Sequence, residues 1–188
     1  KKTPAVIEFV DIAGLVKGAS QGAGLGNKFL ENIRRTDAIV HVVRCFEDGN
    51  ITHVEGSIDP VRDMDIINTE LCLADLESVD KKKTKTAKLA QAGIKQAKAD
   101  LPVLEKVYDA LQNGTPARTL TLSDDDLEVL KELNLITLKP VLYVLNMAED
   151  DIADPLANEY VQAASKEAEK EGAKWVPISA EIEEEVSE

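Results

Sequence analysis

Three polar side chains, each closing an apolar run, could together carry out chemistry on a nucleoside triphosphate. Asp11 ends the run Phe9-Val10 and is followed by Ile12, Ala13 and Gly14. A carboxylate at a strand tip can reach a magnesium ion's shell through water. Gly14, with no Cβ in the way, can bring its backbone N–H close to a terminal phosphate. Asn146 ends Val141-Leu142-Tyr143-Val144-Leu145 and is followed by Met147, Ala148 and Glu149. Ser179 and Ala180 end Trp175-Val176-Pro177-Ile178. A lone D-x-x-G is a weak signal, because four-residue matches are common. The ordered set D-x-x-G, N-x-x-E and S-A, each closing an apolar run, is specific.

The elements that must position these groups follow from periodicity. Strands are expected near 5–10, 38–44, 140–145 and 174–178, in a mainly parallel open sheet whose ligand lies beyond the strand carboxyl ends. The run at 140–145 is apolar throughout, as a strand covered on both faces would be. A helix is predicted from Asn27 to Arg35. Between the second and third strands lies an excursion far longer than an ordinary connection. Residues 61–90 and 96–113 read as two helices. Ala97, Leu101, Leu104, Tyr108 and Leu111 form a heptad seam on the second, with Leu71 and Ala74 facing it and Ile67 beneath. Gly93 marks the turn, and Asn113-Gly114 ends the second helix. The expectation is an antiparallel coiled-coil hairpin over 61–114, inserted into an α/β nucleotide domain made of 1–60 and 115–188. Ser123 and Asp126 form a capping-box pattern for a short helix to about Leu133. Asp154-Pro155 opens another helix, and Gly172 closes it.

A length of 188 residues with 44% hydrophobic content is enough to bury a core. No run approaches about 18 apolar residues and no leader pattern opens the sequence, so neither a membrane span nor a secretory signal is expected, and a cytoplasmic location is. Cys45 and Cys72 have no metal or redox spacing and read as buried thiols. An aromatic content of 4% argues against a base-stacking platform. The net charge of −13 conceals an asymmetry. Residues 81–98 hold Lys81, Lys82, Lys83, Lys85, Lys88, Lys95 and Lys98 with no acid, giving +7 there and −20 elsewhere. Two readings stand: a solvated hairpin, or a basic surface for an anionic partner such as ribosomal RNA.

Gly18, Gly22, Gly24 and Gly26 sit too far beyond Val10, and at the wrong spacing, for a dinucleotide fingerprint. They fit a switch loop that changes conformation with the terminal phosphate. No G-x-x-x-x-G-K-[ST] occurs in the sequence. The chain therefore reads as a piece of a larger enzyme whose phosphate-cradling loop lies upstream.

The D-x-x-G, N-x-x-E and S-A order is that of the later motifs of the P-loop GTPase class. Val10-Asp11-Ile12-Ala13-Gly14-Leu15-Val16-Lys17-Gly18-Ala19-Ser20, Gly24-Leu25-Gly26-Asn27, His41-Val42-Val43-Arg44-Cys45-Phe46 and Ile67-Asn68-Thr69-Glu70-Leu71 resemble the YchF/Obg-like ATPase family, from Glu8 to Ala180. The resemblance implies a nucleotide domain, an inserted helical hairpin and a C-terminal TGS domain, of which the last is not matched here. It also places Leu15 where many GTPases carry a glutamine that orients the attacking water. Leucine cannot hydrogen-bond, so another group must position that water. His53 is the candidate, against a plain loop histidine, since an imidazole can orient water near neutral pH. His41, within a strand, reads as a core residue. The usual guanine-reading element is N-K-x-D; here Met147 replaces the lysine and Glu149 the aspartate. The resemblance implies ATP with Mg²⁺, Asn146 at the adenine edge, Met147 on the base, and Ser179-Ala180 lining it. Three functions follow: a YchF-type ATPase acting as a ribosome- or RNA-associated switch, a GTPase with relaxed base recognition, or a non-catalytic module acting through the basic hairpin. On its own, the chain is expected to turn over almost no ATP.

Overall fold

The computed structural model describes residues 6–11, 25–47 and 58–187. Gly14, Leu15, His53 and most of the glycine-rich loop lie outside them. Three strands, β1 (Ile39–Arg44), β2 (Val141–Asn146) and β3 (Lys174–Ile178), form a parallel sheet in the order β1-β2-β3. The register sets Val43 beside Leu145, Leu145 beside Pro177, and Asn146 beside both Arg44 and Ile178. All three strands therefore present their carboxyl ends at one edge.

Alternation decides what each sheet face does. Val43, Tyr143 and Leu145 point to one side and are buried with Val161, Ala164 and Ala168 of α5 (Glu159–Lys170) and Met64 of α2 (Pro60–Gln91). On the other face Val40, Val42, Leu142 and Val176 remain exposed. Val144 on that face is nonetheless buried, so β2 is enclosed by α2 and α5 on one face and only in part on the other, short of the expected cover on both.

The apolar run before Asp11 is not a strand. Residues 6–11 have no regular structure, and Val6, Ile7, Phe9 and Val10 are exposed. A strand exists only through a hydrogen-bonded neighbour, and none of the described strands pairs with this run. Helix α1 (Leu25–Arg34) begins close to its predicted start and packs Leu30 and Ile33 against Leu71 and Ile136.

Helices α2 and α3 (Lys95–Gln112) form the expected hairpin, and local chemistry fixes its ends. Asp59 accepts from the Arg62 amide at 3.0 Å, with Pro60 in the first helical turn. Gly93, at φ 91°, makes the turn, and Gly114, at φ 72°, follows the second helix. The seam differs from the expected one. Ala97, Leu104, Val107 and Leu111 are buried on α3, whereas Leu101 and Tyr108 are only partly so. Cys72 and Val79, not Leu71 and Ala74, face them from α2. Leu71, Ala74 and Ile67 pack towards α1 instead. Helix α2 carries two buried stripes because it lies between two neighbours. Each buried leucine or valine there contributes roughly 1.5–3 kcal/mol before chain entropy is subtracted.

Ser123 and Asp126 form the reciprocal capping box of α4 (Asp124–Leu130), at 3.2 and 2.9 Å. Asp154-Pro155 opens only one 3₁₀ turn; α5 starts later, capped by Asn158. Gly172, at φ 68°, closes α5 as expected. A last helix, α6 (Ala180–Ser187), leaves the end of β3.

Candidate nucleotide site

Parallel strands bring Asn146 and Ser179 to the same sheet edge, the carboxyl-end edge at which open α/β sheets bind ligands. The Asn146 side chain accepts a hydrogen bond from the Ala180 amide at 3.0 Å, across 34 residues of sequence. The donor is a backbone N–H, so the accepting atom is Oδ1 and the Asn146 amide nitrogen is turned the other way. That Nδ2 is a donor suited to an acceptor on a purine edge. The Met147 amide donates to the Ile178 carbonyl at 2.9 Å, joining the two loops a second time.

Ser179 is 2% exposed, and its hydroxyl has no hydrogen-bond partner. An unpaired buried hydroxyl costs about 1–3 kcal/mol. It lies next to the Ala180 amide that Asn146 holds. Ala180 is exposed at the start of α6, and Glu149 is exposed at the start of a 3₁₀ turn.

Met147 corrects the sequence reading. Its side chain is 2% exposed and belongs to the core with Tyr143, Leu145 and Val161. It stands two residues beyond Leu145 and four beyond Tyr143, so strand alternation carries it inward. It does not offer a surface to a base.

Asn158 was not singled out by its sequence context, yet it ties the site together. Its Oδ1 accepts from the Tyr160 and Val161 amides at 2.8 and 3.1 Å, capping α5. Its Nδ2 donates to the Cys45 carbonyl at 3.0 Å and to Asp151 at 2.7 Å. The end of β1 and the loop after β2 are thereby held to one side chain. Cys45 and Cys72 are free and buried, and burial pushes both thiols up to about 12, as inert core groups.

Asp11 is not joined to these residues by any hydrogen bond or ion pair; it stands exposed outside the sheet. Among the described residues, no group of three metal-binding side chains could cage an ion. Magnesium needs only one or two protein carboxylates, completing its shell with water and phosphate oxygens. The exposed, unpartnered Asp11 carboxylate meets that demand by its donor chemistry.

Two buried polar clusters brace α2, the first against the sheet and the second against α1 and residues 136–137. Arg118 Nη2 donates to Asn68 at 2.9 Å and to Glu171 at 2.7 Å. Asn68 Nδ2 reaches Glu171 at 2.6 Å and the Tyr143 hydroxyl at 3.3 Å. His41 lies beside Tyr143, ring centroids 5.3 Å apart. Burial, and then the Arg118 charge, lowers His41 to about 4, so it is a neutral, partly buried ring beside the core. The second cluster centres on Asp75 of α2, which is fully buried. It accepts from the Ile136 amide at 3.1 Å, the Thr137 amide at 2.7 Å, the Thr137 hydroxyl at 2.8 Å and Arg34 at 3.0 Å.

Comparisons with known proteins agree with this geometry. Residues 1–71 match the family described as 50S ribosome-binding GTPase. The chain is 47% identical over 188 residues, all of its length, to the ribosome-binding ATPase YchF of Bacillus subtilis strain 168. It is 50% identical over 185 residues to that of Pasteurella multocida strain Pm70, covering 98% of this chain and 50% of that one. Over nearly its whole length the chain is similar to proteins of the YchF/Obg-like family. A solved structure of the Schizosaccharomyces pombe YchF GTPase superposes on 93% of this chain and 48% of its own, with a TM-score of 0.76 at 40% identity. Its match supports the mixed α/β architecture of a P-loop GTPase-type domain. The chain spans about half the length of the curated relatives it matches, 51% in the B. subtilis case. Among the described residues, no helix is long and apolar enough to cross a membrane.

Proposed function

We propose that this chain supplies the base-reading edge and the helical reporter of an ATP-binding, ATP-hydrolysing switch that works on the ribosome. The observation that carries this reading is the cross-strand bond from the Ala180 amide to Asn146, beside the unpartnered buried hydroxyl of Ser179. Together they offer a purine one amide donor and one hydroxyl. The domain division follows: 1–60 with 115–188 as the nucleotide part, and 61–114 as an inserted coiled-coil hairpin.

Base choice falls to the loop after β2. An aspartate in the guanine-reading element accepts from the N1–H and 2-amino groups; adenine has no N1–H. Glu149, longer by a methylene and exposed, is displaced from that acceptor position, which favours ATP. An exposed carboxylate near the base also leaves room for the second reading, a GTPase with relaxed specificity. Mg²⁺ accompanying ATP would be held through water by Asp11 and would neutralise phosphate charge. Gly14 would offer its amide to the terminal phosphate. His53 is assigned to position water in place of the residue after D-x-x-G, here Leu15.

Fluorescent ATP displaced by unlabelled ATP or GTP, with turnover measured on this chain and on the protein at the length of its relatives, tests the proposal. ATP is expected to compete at least about 10-fold better, a difference of about 1.4 kcal/mol. Turnover is expected only at the longer length, and His53→Ala should lower kcat more than it weakens binding. Equal competition by GTP would favour the second reading. Displacement by neither nucleotide would leave the hairpin as a non-catalytic binding module.

A further inference from the structure

The two residues of the base-reading loop, Asn146 and Glu149, stand on different footings. Asn146 is the last residue of a paired strand, and its side chain is fixed by the Ala180 amide. Glu149 opens a 3₁₀ turn, Glu149–Asp151, beyond the end of the sheet. That turn is closed by its own backbone. The Asp151 amide donates to the Ala148 carbonyl at 3.2 Å, and the Ile152 amide to the Glu149 carbonyl at 3.1 Å. Such local bonds give the turn a shape but leave its position open. Among the described residues, a single hydrogen bond leads from residues 148–154 out of the loop. Asn158 Nδ2 donates to the Asp151 carboxylate at 2.7 Å.

Asn158 is well placed to hold the turn still. Its Oδ1 is engaged by the Tyr160 and Val161 amides at the start of α5, which fixes the plane of the side-chain amide and turns Nδ2 away from the helix. The same Nδ2 reaches the Cys45 carbonyl at 3.0 Å, and the Cys45 amide donates to the Asn146 carbonyl at 2.7 Å. One side chain thus sets the turn of Glu149 relative to the strand ends that carry Asn146. The bond to Asp151 joins an amide to a carboxylate and is stronger than a neutral pair. Helix capping does not account for it, because capping uses Oδ1 alone and serine or aspartate would serve as well.

We infer that Asn158, acting through Asp151, is a positioning residue that determines purine specificity, by holding Glu149 short of the place where a carboxylate would accept from the guanine N1–H and 2-amino groups. It rests on the reading of Asn146 and Glu149 as base contacts, and it adds the cause of the discrimination. A glutamate differs from the aspartate of the guanine-reading element by one methylene, so a shift of the turn by about 1.5 Å, one carbon–carbon bond, would return its carboxylate to the aspartate's position. The Asn158 bond opposes that shift. Breaking it should act on GTP and not on ATP, since adenine has no N1–H for a carboxylate to meet. A residue that only supported the fold would weaken both nucleotides together.

Displacement of fluorescent ATP by ATP and by GTP, on the protein at the length of its relatives, tests this in three variants. Asp151→Ala removes the carboxylate. Asp151→Asn keeps an oxygen that can accept from Nδ2, and Asn158→Ser keeps a cap for α5 while losing Nδ2. In Asp151→Ala, GTP should bind about threefold more tightly and ATP within about twofold of wild type, a change in preference of about 0.7 kcal/mol, in the range of one hydrogen bond. Asn158→Ser should narrow the preference in the same way, and Asp151→Asn should keep the wild-type ratio. Should Asn158→Ser lose helix by circular dichroism, the two Asp151 variants decide. Amide hydrogen exchange on this chain without nucleotide gives a second readout. Residues 148–154 should exchange faster in Asp151→Ala, while α5 stays protected. An unchanged ratio in Asp151→Ala, equal weakening of both nucleotides, or unchanged exchange over 148–154 overturns the inference. So does an Asp151→Asn variant that behaves like Asp151→Ala. A wild-type ATP preference that no variant moves sinks the positioning role and leaves the base contacts standing. Wild-type protein that binds both nucleotides alike, or neither, overturns the base contacts, and the inference falls with them.

Discussion

Replacing Asp75 should do more damage to this fold than replacing any residue of the candidate site. The side chain is fully buried on α2 and serves four donors: two backbone amides, the Thr137 hydroxyl and the Arg34 guanidinium. Asp75→Ala leaves the Ile136 and Thr137 amides without partners in the interior, at about 1–3 kcal/mol each, and leaves Arg34 without its carboxylate. The two amides alone come to about 2–6 kcal/mol, and the partly exposed Arg34 adds about 1 more, so a total of roughly 3–7 kcal/mol is expected. A domain of this size is stable by about 5–15 kcal/mol, so the variant should be close to unfolding in water. Arg34→Met should cost less, about 2 kcal/mol, because Arg34 is partly exposed and Asp75 keeps its three neutral donors. Asp75→Asn should fall between. Urea unfolding followed by circular dichroism gives the ranking, and unchanged m-values would show that the denatured state is the same. If Asp75→Ala shifts stability by less than about 1 kcal/mol, or if Arg34→Met is the more damaging change, the idea that backbone amides dominate this cluster is wrong.

His41 should make stability fall with acid. An unfolded histidine takes up a proton below about 6.5, whereas the folded ring resists until about 4, so its contribution is full above 6.5 and is lost as pH falls towards 4. The difference in unfolding free energy between His41→Phe and wild type should therefore grow in the variant's favour by about 1.4 kcal/mol per pH unit across that window, and a flat difference would refute it. Ser179→Ala should leave unliganded stability unchanged or raise it by up to about 1 kcal/mol, because the hydroxyl it removes has no partner. The same variant should bind ATP roughly 10-fold more weakly by titration calorimetry; unchanged affinity would detach Ser179 from the site.

What could be read from the sequence was what neighbouring residues decide among themselves. Gly93, Gly114, the Ser123–Asp126 box and Gly172 all act within a few residues, and each bounds an element where its chemistry requires. Asn146 and Ser179 were legible because each closes an apolar run, and parallel pairing brought them together. Met147 was misread by following the motif instead of the alternation, which Tyr143 and Leu145 already displayed. The run before Asp11 has the composition of a strand, but pairing is a property of two segments and cannot be seen in one. Asp75 looked like any acid on a polar helix, and only folding brought the Ile136 and Thr137 amides to it.

The position of Asp75 has a mechanical consequence. Helix α2 is shared: Cys72 and Val79 bind it to α3, while Leu71, with Ala74 and Ile67, binds it to α1. Asp75 then clasps Arg34, the last residue of α1, and Asn68 one stripe away joins the hairpin to Tyr143 of β2. Neither α1 nor the sheet can shift without bearing on the hairpin root, because the joining contacts are buried and close-packed interiors transmit displacement. From Asp75 to the turn at Gly93 the helix extends about 27 Å at 1.5 Å per residue. A tilt of about 5° at the root would carry the lysines at the tip through roughly 2 Å, comparable to the helix shifts that operate known switches. The free end of the hairpin is therefore also the end that amplifies any displacement at its root. In a lever of this kind, rigidity along α2 matters as much as the chemistry at either end.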